Sequence, residues 1–447
     1  MLGPLRGALV VAVFAALGAA ILRTGPRRYV QALYYAHASA AAQDAFVNST
    51  LAAMRAEEDE ASVQADGCWS LGRLAARAHN RRARAAAAHL AAAGGVEHIL
   101  AAMDKHTGAA HVQQQAAVVL THLARDEQLQ LQIASLGGIE QLLRALANHS
   151  AHPLVQQHAC AALGNMAVNP MYQVKIATLG GIERVLDAMR LHPGDTHVQR
   201  QALFALMTIA DHVPDTQATV VQRGGIDLIL SAVTAHMSVP HVVEYGCWAL
   251  MVVAENHQPC QTRILEAHGV DSIFMALDTH QWDTSVQRFG IGALTSLAAN
   301  NTASQEEIGS KGGIERVLRA LAAHELDTAV HRHGTHALMA LASSPTNQRR
   351  IGALGGIQRL FASMESHRND RDVQLFAVWA LGKVSDIPEN KAHLLALGAV
   401  DKLLQVRDLL ALSGVDQLLQ ERERVRARVR ARARERERDR ARARESV

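Results

Sequence analysis

Aromatic residues make up only 4% of this 447-residue chain, although 49% of it is hydrophobic. Ala and Leu must fill most apolar positions, which favours helices over strands. Cysteine is also scarce. Three of the four thiols, Cys68, Cys160 and Cys247, occupy one recurring position, and Cys260 is the fourth. Copies of one position in a helical stack stand roughly 10 Å apart, outside the ~7 Å Cα reach of a disulfide. We therefore expect small buried thiols in a reducing compartment. Gly-x-x-x-x-Gly-Lys-Ser/Thr, His-Glu-x-x-His and Cys-x-x-Cys are missing, which removes the phosphate-loop, zinc-protease and paired-cysteine signatures. No catalytic residue, metal or cofactor is expected, and the chain does not read as an enzyme.

Acidic residues are absent before Asp44. Within that stretch Ala8 to Leu22 is an unbroken apolar run, preceded by Arg6 and followed by Arg23, Arg27 and Arg28. It is shorter than the ~20 residues of a comfortable span and long enough for a signal core. Residues 1–41 thus read as a membrane anchor, with the excess of following Arg holding the rest of the chain in the cytosol. A cleaved organelle-targeting peptide and an ordinary buried helix are the alternatives. At the other end, Arg occupies every even position from 422 to 444. Arg at every second residue encircles a helix and leaves no apolar face to pack. Residues 413–447 therefore read as a solvated tail. Glu421 to Glu445 carries +6 of a formal net charge of +3, so the remainder is about −3 and offers no basic nucleic-acid surface. Nucleic acid or anionic membrane is expected only through the tail.

Between these ends one phrase recurs. Leu136-Gly137-Gly138-Ile139-Glu140 returns at Leu179–Glu183, Gly312–Glu315 and Leu354–Gln358, with weaker copies at Gly94, Gly224, His268 and Gly398. The second residue of each pair falls at 95, 138, 181, 225, 269, 313, 356 and 399, every step being 43 or 44. So narrow a spread marks a repeat array. Each unit reads as a short helix such as Gln128 to Leu136, a Gly-Gly corner, a second helix such as Ile139 to Ala147, a polar loop, and a longer third helix such as Val155 to Val168, which starts near a Val-Gln pair. Residues 42–80 read as an atypical first unit. Three helices in about 43 residues cannot bury their faces alone, so neighbours must stack.

The Ile-x-x-x-Gly-Gly-Ile-x-x-Leu-x-x-x-Leu phrase and the Ala162-Leu-Gly-Asn-Met-Ala167 ending resemble armadillo repeats, with a flavour similar to the arrays of leucine-rich-repeat kinases and of microbial eukaryote armadillo proteins. The likeness covers residues 42–412. It implies an all-α fold, an armadillo-type α-solenoid of about eight units in a right-handed superhelix, and a concave groove lined by third helices that holds a protein or peptide segment. In peptide-binding members an Asn two residues before the terminal Ala pins the ligand backbone, and a Trp four residues earlier forms slots. Here the Asn register reads Arg73, His122, Asn165, Thr208, Val252, Ser296, Ala340 and Lys383. The Trp register reads Trp69, Val118, Ala161, Phe204, Trp248, Gly292, His336 and Trp379. No unit has both, which speaks against an importin-like grip on basic peptides. The groove candidates are Trp69, Arg73, His122, Asn165, Phe204, Trp248, Ser296, His336, Trp379 and Lys383. The same spacing also suits three core tryptophans.

A second ladder, His106, His149, His192, His236, His280, His324 and His367, lies 11 residues past each turn glycine. Layers roughly 10 Å apart cannot share one metal ion. These imidazoles are expected to bond the last carbonyls of their own second helices, with a pH-responsive edge as the alternative.

Overall fold

The structure, a computed structural model, describes residues 40–76 and 81–397. The apolar run at 8–22, the Gly398-Ala399 corner and the arginine-rich stretch lie outside these residues. The described residues form 24 helices and no strand. They divide into two compact units, one ending at Ala249 and one beginning at Leu250, with the boundary inside the helix Pro240–Ala254.

The first compact unit opens with Ala40–Ala56 and Ala61–Ala75. Three-helix repeats then follow, such as Glu127–Ser135, Gly138–Asn148 and Pro153–Ala167. In the second, Thr302–Ser310, Gly313–Ala323 and Thr328–Leu341 show the same plan. Boundaries fall one or two residues from those expected, and side chains cap some of the helix starts. Asp126 accepts from the Gln128 and Leu129 amides, and Asp195 from those of His197 and Val198. Each satisfies orphan donors at a helix start.

The two glycines of each corner do different work. Gly137 and Gly180 sit at φ +80° and +78°, the left-handed region that costs an L side chain about 1–2 kcal/mol. His268 holds this place in one repeat at φ +57°, so the first position tolerates a side chain at that cost. The second does not. A Cβ on Gly181 would lie 2.7 Å from the Ile176 carbonyl oxygen, and one on Gly138 2.8 Å from that of Ile133. All seven described corners keep Gly at this second position.

Second helices bury one face. In Gly138–Asn148, Ile139, Leu142, Leu143, Ala145 and Leu146 are buried, each large aliphatic side chain contributing roughly 1.5–3 kcal/mol. Third helices are enclosed on nearly all sides, as Val155, Ala159, Cys160, Ala162, Leu163, Met166 and Ala167 are in Pro153–Ala167. All four cysteines are buried thiols outside any disulfide, and burial pushes each thiol up to about 12.

Two polar ladders recur along these repeats, one within each unit and one between neighbours. The Gln of the Val-Gln pair donates through Nε2 to two carbonyls at the end of its own unit's second helix. Gln156 reaches Leu146 O at 3.0 Å and His149 O at 2.9 Å, and Gln374 reaches Met364 O at 2.8 Å and His367 O at 3.0 Å. The histidine ladder departs from expectation. Each histidine does stand at a second-helix C-cap, but the rings of His106, His149, His192, His236, His324 and His367 bond a carbonyl outside that helix. His149 Nε2 donates to Thr107 O at 2.7 Å, His192 Nε2 to Ser150 O at 2.6 Å, and His324 Nε2 to Gln281 O at 2.9 Å. The acceptors belong to the loop of the preceding repeat. The glutamine already serves the helix end, so the imidazole is released to staple one layer to the next.

Candidate functional site

Third-helix residues that face away from the second helices remain open. In the first compact unit Trp69, His122, Asn165, Phe204 and Trp248 are half-buried and Arg73 is exposed. In the second, Ser296, His336 and Lys383 are half-buried and Trp379 is 45% exposed. None of the three tryptophans is enclosed in core. Gly and Ala at neighbouring positions let the aromatics settle. Phe204 lies over Gly164, where an added Cβ would clash with its ring.

In the first unit the fold gathers Phe204 and Trp248 around Tyr245. The Phe204 and Tyr245 ring centroids are 5.9 Å apart, and Tyr245 stacks on Trp248 at 6.4 Å with 17° between planes. Arg200 and Glu244 flank this shelf. Arg200 Nε is buried without a hydrogen-bond partner. Burial first, then Glu244, push the Tyr245 phenol above its ordinary range, and Arg200 opposes them. Asn165 makes a layer contact, its Nδ2 donating to Thr121 O at 2.8 Å. His158, close by in sequence, is pushed below its usual range by burial and by His197.

In the second unit His336 stacks flat on Phe376, centroids 4.1 Å apart and planes at 7°. Lys383 Nζ donates to Met339 O at 3.1 Å and Ser343 Oγ at 2.6 Å. This is the layer contact of Asn165 made by a cation, and burial lowers the lysine from its ordinary value. Arg288 Cζ lies 4.2 Å over the Phe289 ring with Nε unpartnered. Ser296 lends its carbonyl to Gln261 Nε2 at 2.8 Å. Arg200, Tyr245, Arg288, His333 and Phe376 do not figure among the ten candidates. They stand nine or ten residues before the terminal Ala of their repeats, or before Ser385 in the case of Phe376. Reading those two registers alongside the Asn and Trp registers would have found them.

Neither compact unit by itself gathers three His, Cys, Asp or Glu ligand atoms around one point among the described residues. No single helix there is long and apolar enough to cross a membrane.

With this geometry in hand, comparison with known proteins is informative. The SIL1/FES1/HPBP1 C-terminal domain family matches residues 131–243. No curated protein matches the chain. The crystal structure of an engineered protein overlays with a TM-score of 0.70 at 24% identity, covering 91% of this chain and 97% of that one. A second engineered protein gives 0.50 at 25% identity over 56% of this chain and 97% of its own. A designed armadillo repeat protein gives 0.49 at 16% identity over 56% of this chain and 99% of its own. Three-helix repeats on Gly-Gly corners, and an overlay along nine-tenths of the chain, establish that this protein has the all-α, armadillo-type helical solenoid fold.

Proposed function

We propose that this protein is a non-enzymatic protein-binding scaffold whose third-helix faces hold a partner's polypeptide segment. The observation that carries this reading is the half-buried Phe204–Tyr245–Trp248 shelf with Arg200 at its margin. Trp, Tyr and Arg are the residues that most often anchor interfaces. The backbone around them is fixed by layered packing and polar ladders, so little ordering cost falls on binding. A photo-crosslinking residue at position 204 or 336 should capture a partner that Trp248→Ala or Trp379→Ala, respectively, releases. The same probe at Leu131, 62% exposed on a first helix, should capture none. Equal capture at 131 would defeat the proposal.

The +6 between Glu421 and Glu445 supports a second reading, contact with nucleic acid or anionic membrane through the tail. Deleting 420–447 separates the two. Loss of all binding, with steep salt dependence beforehand, favours the tail, and unchanged partner recovery favours the face. We also propose a membrane tether through residues 8–22 on the cytosolic side. Alkaline extraction of the native protein, with N-terminal sequencing, tests it, and a soluble chain lacking residues 1–30 would point to cleavage and organelle targeting.

A further inference from the structure

The third-helix face of the second compact unit carries cations without matching carboxylates. Arg332 is satisfied: it holds Asp370 through Nε and Nη2 at 2.5–3.1 Å, and Asp372 lies 3.9 Å away. Asp370 is also committed as the cap of Arg371–Val384, accepting from the Val373 amide at 3.0 Å. No carboxylate pairs with Arg288 or Lys383. Arg288 leaves Nε buried and unpartnered, and Lys383 meets only a carbonyl and a hydroxyl. Between them lie His333, which sits against Gly292 where a side chain would crowd it, and the His336–Phe376 stack.

We propose that this face binds an extended acidic peptide segment, with one carboxylate at Arg288, a second at Lys383, and an apolar residue between them against Phe376 and Trp379. The assignment rests on the scaffold reading and adds the partner's charge. Its register follows from spacing. Arg288 and Lys383 lie on helices two layers apart, roughly 20 Å at the usual packing distance, and eight register positions apart along the helix, about 12 Å more at right angles to that, or roughly 23 Å in all. An extended strand rises about 3.3 Å per residue, so the two acids should be about seven residues apart, with six or eight keeping both on one face of the strand. The electrostatics of the face are dominated by burial, with neighbouring cations second, and Asp372 acts on His336 in the opposite sense. Burial, then Arg288, His336 and Arg332, push His333 down to about 4. Burial also lowers Lys383. A bound carboxylate would raise both, and a basic peptide would meet like charge.

The test uses the full chain and three fluorescein-labelled twelve-residue peptides of one sequence, carrying Glu, Gln or Lys at two positions six residues apart, with Leu between. Fluorescence anisotropy should show binding of the Glu peptide, weakened by salt. Arg288→Gln and Lys383→Gln should each weaken it about ten-fold, the value of one charge-assisted hydrogen bond, while Lys383→Arg retains it. His333 ring signals should move toward the protonated form on binding. Equal or tighter binding of the Gln or Lys peptide would overturn the acidic assignment while leaving the face a binding surface. Glu-peptide binding unaffected by both Gln variants would place it elsewhere, such as the arginine-rich stretch, and also overturn it. Failure of all three peptides would count against the scaffold reading as well.

Discussion

His331 stands where the other Val-Gln pairs put glutamine, and His331→Gln is expected to stabilise the protein. The imidazole is 1% exposed, and neither ring nitrogen has a hydrogen-bond partner. Its ring centroid lies 4.3 Å from that of His367, whose Nδ1 accepts from Thr328 Oγ1 at 3.2 Å. A glutamine here would follow the ladder and donate to the carbonyls ten and seven residues earlier, those of Leu321 and His324. Gln374 already makes the equivalent bonds in the next layer. Two hydrogen bonds at about 1 kcal/mol net each give a gain of roughly 1–3 kcal/mol at pH 7. The pH dependence is a sharper test. Burial, then the neighbouring His367, push His331 from 6.5 down to about 4. Between these values the unfolded chain takes the proton and the folded chain does not. Stability is therefore full above pH 6.5 and falls as pH drops toward 4, by up to about 3 kcal/mol at 1.36 kcal/mol per unit. His331→Gln removes that slope. Hydrogen exchange of the amides in Thr328–Leu341 at pH 7 and pH 5 reads the effect locally, as suits a repeat fold whose unfolding need not be two-state. Faster exchange in the variant at pH 7, or an unchanged difference between the two pH values, would refute the reasoning.

Other outcomes follow from the same geometry. Gly181→Ala should cost more than 2 kcal/mol in urea unfolding, because its Cβ would lie 2.7 Å from the Ile176 carbonyl, whereas Gly180→Ala should cost only about 1–2 kcal/mol for left-handed strain. His268→Gly, the reverse exchange at φ +57°, should gain about 1 kcal/mol by thermal melt. Gln156→Leu leaves the Leu146 and His149 carbonyls unserved and should lose about 2 kcal/mol, with exchange accelerated at the end of Gly138–Asn148. The four buried thiols, raised to about 12, should react with a thiol reagent only at the rate of opening, and rapid reaction in native buffer would contradict their burial.

The helical class and the repeat length were legible in the sequence because each repeat writes its own corner. Gly180-Gly181 must turn the chain whatever surrounds it, since φ and close approach are local constraints. The third helix is legible from the Val-Gln pair near its start, and the structure adds Asp195 as a cap. The histidine ladder was legible as a position and illegible as an interaction. Helix-end carbonyls next to His149 in sequence are obvious partners, yet Gln156 takes them and the ring reaches Thr107 instead. The candidate site divides in the same way. Register alone locates Phe204, Trp248 and Lys383 on third helices. Tyr245 joins the first two, and Arg288 is left without a carboxylate, only once neighbouring helices lie side by side. Short-range geometry is set by residues a few positions apart, so the sequence by itself determined the corners, the caps and the period. Contacts between residues 42–44 apart depend on how layers stack, and only the tertiary structure decided which donors are spent on holding the layers together and which remain for a partner.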